Sequence, residues 1–229
     1  MGTLTFTELQ DEVRAGLGGR TDLNARLGRF LNLAQQRLAR MHDFDEMETI
    51  STTTINNTGS DDDRYISLPN LREVYSIVVI DESRSRKLKQ ISPRRWDRML
   101  PLPQYHSRDI PSIYTVWGSV VEVFQLPEKE YSVRMRWTKW PTDLSAGSAT
   151  SEFNQKDELL IELAISYAYR SLGKPDESAK HEGVARRLFS EAEDIDREKP
   201  DLDQVGDART GSEVQPQDYW RDPFTDRTP

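Results

Sequence analysis

The stretch LNARLGRFLNLAQQRLARM, residues 23–41, decides how this chain folds. Its apolar side chains fall at Leu23, Leu27, Phe30, Leu31, Ala34, Leu38 and Met41, the alternation of three and four that lines one face of an α-helix. Arg26, Arg29, Asn32, Gln36, Arg37 and Arg40 take the other faces. A helix with one apolar stripe has to lay it against another element. The rest of the sequence must supply that element.

Upstream, Thr5 and Thr7 each precede an acid or amide by three residues, Glu8 and Gln10, the spacing of a capping box. A helix over FTELQDEVRAGL follows, Gly16, Gly18 and Gly19 stop it, and Thr21-Asp22 is expected to cap the next. The helical period returns late in the chain. Leu160, Leu163, Ala164, Tyr167, Ala168 and Leu172 form one stripe, with Gly173 as stop and Pro175 opening a last helix. That helix presents Val184, Ala185, Leu188, Phe189, Ala192 and Ile195 and ends near Lys199-Pro200.

Between the helix pairs the period changes to two. EMETISTTTINN, RYISLP, VYSIVVID, SRKLKQI, IPSIYTVW, SVVEVFQLP and EYSVRMRWTKWP read as strands, separated by turns at TGSDDD, Asp81–Arg86, Gly118 and Pro127–Glu130. In the last strand Tyr131, Val133, Met135 and Trp137 alternate with Ser132, Arg134 and Arg136, so one sheet face is buried and one is wet. SPRRWDRMLP reads as a short helix capped by Ser92, opened by Pro93 and ended by Pro101. The two helix pairs bury their stripes best against each other. The fold class is therefore α+β: an antiparallel helical bundle built from N- and C-terminal helix pairs, an inserted antiparallel β module and an extended C-terminal tail. The corresponding boundaries are 1–45 and 151–199 for the bundle, 46–150 for the β module and 200–229 for the tail.

Composition narrows the function. A net charge of −8 argues against a general nucleic-acid binder, which needs a basic face for phosphate. The absence of cysteine excludes thiolate metal sites and Cys nucleophiles. MGTLTFTELQDEV lacks the basic and apolar regions of a signal peptide, and no apolar run reaches the roughly 20 residues of a membrane span, so a soluble protein made in the cytoplasm is expected. Asn56-Asn57-Thr58 reads as a turn that happens to match a glycosylation sequon.

Chemistry is hard to place. His42, His106 and His181 stand without ligand spacing, and Asp61-Asp62-Asp63 lacks the rest of a calcium loop. LGKPDES has no phosphate-loop spacing and reads as a helix–helix turn. No enzyme activity, metal or cofactor is expected. One basic concentration stands out: Arg84, Arg86, Lys87, Lys89, Arg94, Arg95 and Arg98, with Trp96 among them. It reads as a contact patch for nucleic acid or an acidic partner, or as a solvated hairpin and helix whose Trp96, Met99 and Leu100 face the sheet. Trp117, Trp137 and Trp140 are expected to fill the β core or its boundary with the bundle.

This layout resembles the head–tail adaptor (connector) proteins of tailed bacteriophages. The opening TFTELQDEVRAGL and LGRFLNLAQQRLARMHDFDEME are similar to that family's first helix pair and aromatic turn. IPSIYTVWGSVVEVFQLPEKEYSVRMRWTKWPTDLS resembles its strand pair, final strand and polar loop, and DELLIELAISYAYRSLGKPDESAKHEGVARRLFSEA its closing helix pair. The resemblance implies a structural virion protein at the neck. It implies a ring, usually a dodecamer, that docks on the portal protein, receives tail or neck proteins and lets DNA through its lumen without specific binding. It also implies a C-terminal segment reaching a portal or neighbouring subunit. In VQPQDYWRDPFTDRTP, residues 214–229, that role would fall to Tyr219, Trp220, Arg221, Pro223 and Phe224. Large aromatics in a polar, proline-broken tail make sense as anchors that become buried on assembly.

Overall fold

The computed structural model describes residues 2–56, 58, 61–81, 84–100 and 107–197. Its compact units are Met1–Phe189 and Ser190–Pro229. The tail with Tyr219, Trp220, Arg221, Pro223 and Phe224 lies outside the described residues, as do Asn57, Pro101 and His106.

Helix α1 spans Phe6–Gly16 and starts on the expected capping box. The Thr5 hydroxyl accepts from the Glu8 N–H, and the Glu8 carboxylate accepts from the Thr5 N–H at 2.7 Å. Thr7 lies inside the helix, and its hydroxyl donates instead to the Gly147 carbonyl. Helix α2, Asn24–Met41, buries Leu27, Phe30, Leu31, Ala34 and Leu38 as its periodicity requires. Its start differs from the expectation. Leu23 occupies the N-cap position and no side chain caps the helix, because Arg20 draws the Asp22 carboxylate away through two hydrogen bonds.

Helix α3 covers Pro93–Met99, α4 Asp157–Ser171 and α5 Pro175–Arg197. Ser92 stands at the N-cap of α3 without a side-chain bond. Phe6, Leu9 and Val13 of α1, Leu27, Phe30 and Leu31 of α2, and Ala164, Ile165 and Ala168 of α4 share one core. Helix α4 buries more than a single stripe: Leu159, Leu160, Leu163 and Ser166 are buried too. Its Ser166 carbonyl accepts from the Ser178 hydroxyl of α5 at 2.9 Å, so α5 contributes a polar contact to it as well. Gly28 makes the α1–α2 approach close; a Cβ there would stand 2.8 Å from Phe6 Cζ.

The middle segment departs from a single antiparallel sheet. Strands β1 (Glu48–Ile55), β8 (Tyr131–Lys139), β3 (Leu71–Asp81) and β4 (Arg84–Lys87) form one four-stranded sheet in that order. Strands β2 (Tyr65–Ser67), β7 (Val120–Phe124), β6 (Ile113–Trp117) and β5 (Lys89–Gln90) form a second. The chain changes sheets at the buried Leu88, and β5 then pairs parallel with β6. Ile77, Val79, Val133, Met135 and Trp137 from the first sheet share a core with Ile66, Tyr114, Val121 and Val123 from the second. A sequence period of two shows that a face is buried; it does not say how many sheets bury it.

Two of the three expected core tryptophans differ from one another sharply. Trp137 is buried, whereas Trp117 is 53% exposed at the tip of the β6–β7 hairpin. The positive φ of Gly118 turns the chain there. Trp140 is half-buried, with the Arg72 guanidinium over its ring.

The N-terminal segment closes the helical layer. Gly2 and Phe6 donate backbone hydrogen bonds to Ser151 and Ala149. Asp157, at the start of α4, accepts from the Thr3 N–H, the Thr3 hydroxyl and the Leu4 N–H at 2.7, 2.7 and 3.0 Å. At the passage from α2 to β1, the buried Phe44 meets Phe153 and Phe189 edge-on, and Lys156 lies over its ring.

Candidate partner-binding surfaces

The basic segment divides between two supports. Arg84, Arg86 and Lys87 belong to β4, at the edge of the first sheet, while Arg94, Arg95 and Arg98 lie on α3 beside the second. Arg86, Lys87, Arg94, Arg95 and Arg98 are exposed. Trp96 is not available to a base: it is 2% exposed and packs edge-on against Phe124. Leu100 is buried with it, but Met99 points outward, 52% exposed and within 3.3 Å of Arg95 Nε. The aromatic stacking on which single-strand binding depends is therefore absent from this segment's described surface. What remains is exposed positive charge on both supports.

A second surface was only half visible in the sequence. The outward face of the first sheet carries Arg134 and Arg136 from β8, flanked by Ile50 and Thr52 of β1 through the pairs Ile50↔Arg136 and Thr52↔Arg134. On the other side Arg134 pairs with Val78 of β3. Tyr75 occupies a register shift between Val74 and Ser76 and is exposed, as is Ile50. The alternation in β8 announces the two arginines. Ile50 and Tyr75 join them only through strand register, which no local pattern encodes.

The helices carry a polar network that sequence spacing concealed. Glu182 of α5 accepts from Arg37 of α2 at 2.7 Å and from Arg170 of α4 at 3.1 Å, with Arg186 at 3.3 Å. The Arg37 hydrogen bond, chiefly, holds the Glu182 carboxyl below its ordinary range and raises the guanidinium in turn. His181 does not stand alone. Its Nδ1 lies 2.7 Å from Glu162 Oε2, and its ring stacks on Tyr169. These groups tie α5 to α2 and α4.

Two further carboxylates are likewise engaged internally. Asp63, in a 3-10 turn, accepts from the Thr58 N–H and hydroxyl, and Arg108 stands 3.5 Å away. Glu122 of β7 is 9% exposed and 3.1 Å from Arg64, yet burial outweighs that cation and pushes its carboxyl up. An open cleft of about 570 Å³ runs between α1, α2 and the 143–145 loop, past Phe6, Gly28 and Arg29. Asn32 and Leu144 in its wall satisfy each other through two hydrogen bonds. Among the described residues no three His, Asp or Glu side chains are grouped to hold a metal ion. No described helix is long and apolar enough to cross a membrane.

The fold thus displays a cationic edge, an arginine-bearing sheet face and helices clamped to one another by ion pairs. The family model for SU10 adaptor protein matches residues 4–215, and the chain belongs to that family, a family of phage head–tail adaptors. Membership implies a structural, non-enzymatic role. No curated protein matches the chain.

Proposed function

We propose that this chain forms a dodecameric ring beneath the portal at the virion neck, bridging the portal to the tail and leaving a lumen through which DNA passes without specific binding. The observation that carries the reading is the family match, which spans nearly the whole chain. The fold agrees with it in kind. Helix α4 packs against α1 and α2 and holds the N-terminal segment through Asp157, so the first and last parts of the chain share one helical layer. Net negative charge suits a ring that must not hold DNA.

Within that ring we assign residues 1–45 and 151–199 to a helical bundle, 46–150 to an inserted β module and 200–229 to a partner-binding tail. Tyr219, Trp220, Arg221, Pro223 and Phe224 are the tail's anchors on a portal or neighbouring subunit, since a few aromatic and arginine side chains carry most of an interface's energy. The test is sedimentation and electron microscopy of the purified chain mixed with portal rings. The expected product is a ring stacked on the portal. A chain that stays monomeric with and without portal overturns the proposal.

A further inference from the structure

Strand β1 is a terminal strand of the first sheet. It pairs with β8 over eight residues in unbroken register, from Glu48↔Thr138 to Ile55↔Tyr131. Glu48 donates its N–H to the Asp45 carbonyl of the preceding turn, and from Thr49 onward, among the described residues, no backbone hydrogen bond reaches the strand from any element but β8. Proteins blunt such edges with lysine, proline, bulges or very short strands, because a row of open N–H and C=O groups templates further pairing. β1 has none of these: its sequence is ETISTTTI, uncharged after Glu48, and Ile50 on it is 63% exposed. An edge left this open in a stable protein points to a strand that covers it.

The opposite edge of the same sheet has the complementary character. β4, RSRK, is short and carries three cations in four residues, a blunting that disfavours pairing with another β4, whereas β1, neutral after an exposed glutamate, sets no like charge opposite it. Direction fits as well. Every pair in this sheet is antiparallel, β1 with β8, β8 with β3 and β3 with β4, so the two edges run in opposite directions. A second copy displaced sideways in the same orientation therefore presents its β4 antiparallel to β1. Such a contact is heterologous, and repeated with a rotation that divides a full turn, without translation along the axis, it closes into a ring.

We propose that β1 of one subunit pairs antiparallel with β4 of the next, continuing the first sheet across the subunit boundary. This rests on the reading that the chain assembles as a ring, and it names the surface through which it does so. Ile50, Thr52 and Thr54 would then lie on the same outward face as Ser85 of the neighbour, since Ser85 pairs with the outward Ile80.

The chain contains no cysteine, so engineered cysteines report cleanly. Ser85→Cys is combined in turn with Ile50→Cys, Thr52→Cys and Thr54→Cys, a panel that spans the inter-subunit registers. Within one chain the two edges are about 14 Å apart, three strand spacings, too far for a disulfide. The proteins are assembled on portal rings, checked by electron microscopy and oxidised. At least one pair is expected to give a covalent ladder extending beyond the dimer, with none from the single-cysteine variants. Rings that form normally while no pair cross-links beyond its singles place the interface elsewhere and overturn the proposal, leaving the ring intact. Cross-linking by a β1 cysteine alone, stopping at the dimer, shows β1 against β1 and also overturns it. If no ring forms, the ring reading falls and this interface with it.

Discussion

Asp157→Ala tests how the helical layer is closed. The carboxylate is buried, and its Oδ2 gathers the Thr3 N–H, the Thr3 hydroxyl and the Leu4 N–H. A hydrogen bond to a charged group is worth about 1.5–3 kcal/mol, but Thr3 is exposed and its donors regain water when the acceptor goes. The Leu4 N–H, half-buried, regains less. The net loss works out at about 2–4 kcal/mol. For a chain of this size that lowers Tm by roughly 5–15 °C. Urea denaturation should move the midpoint with the slope unchanged, and hydrogen exchange should show the amides of Leu4 and Phe6 losing protection first. Asp157→Asn keeps one acceptor oxygen and should lose distinctly less. A loss below about 0.5 kcal/mol for the alanine variant, the size of an ordinary surface substitution, would mean that residues 2–5 are not docked on α4.

The ion-pair network makes a pH-dependent prediction. Because the folded Glu182 carboxyl sits below its ordinary 4.5, its contribution is fully present above that value and disappears as pH falls through the folded one. Glu182→Gln should therefore cost about 1–2 kcal/mol at pH 7, with the gap to wild type closing in acid denaturation below pH 4.5; a gap that persists unchanged in acid would contradict the assignment. The tryptophans should separate cleanly in thermal unfolding. Trp117→Ser should change stability by less than about 0.5 kcal/mol, and Trp137→Ala should cost about 3–5 kcal/mol; equal effects would refute the placement of the hairpin tip. Truncation after Pro200 should leave the circular dichroism spectrum and Tm unchanged while weakening attachment to portal rings; an unfolded truncated chain would show that the tail belongs to the core.

Periodic signals in the sequence carried most of the local structure. The capping box at Thr5 and Glu8, the stripe from Leu27 to Leu38 and the alternation from Tyr131 to Trp137 each specify an element through spacing alone. What spacing does not hold is which elements meet. Arg20 competes for Asp22 and removes a cap that the residue types favoured. Leu88 carries the chain from one sheet to the other, and nothing in SRKLKQI distinguishes a strand that continues from one that crosses. Trp117 and Trp137 look alike in sequence, and only the position of Gly118 at a hairpin tip separates them. The interaction surfaces follow the same division. The Arg84–Arg98 cations are contiguous and legible, whereas Glu162 with His181, and Ile50 with Arg136, are brought together by tertiary packing and strand register.

A cryo-electron-microscopy reconstruction of the virion neck tests the central claim most directly. The expected result is a closed ring of this α+β fold immediately below the portal, between it and the tail, with an open lumen along the DNA path. A neck in which that position is filled by another protein, with this chain absent from the purified virion, would contradict it.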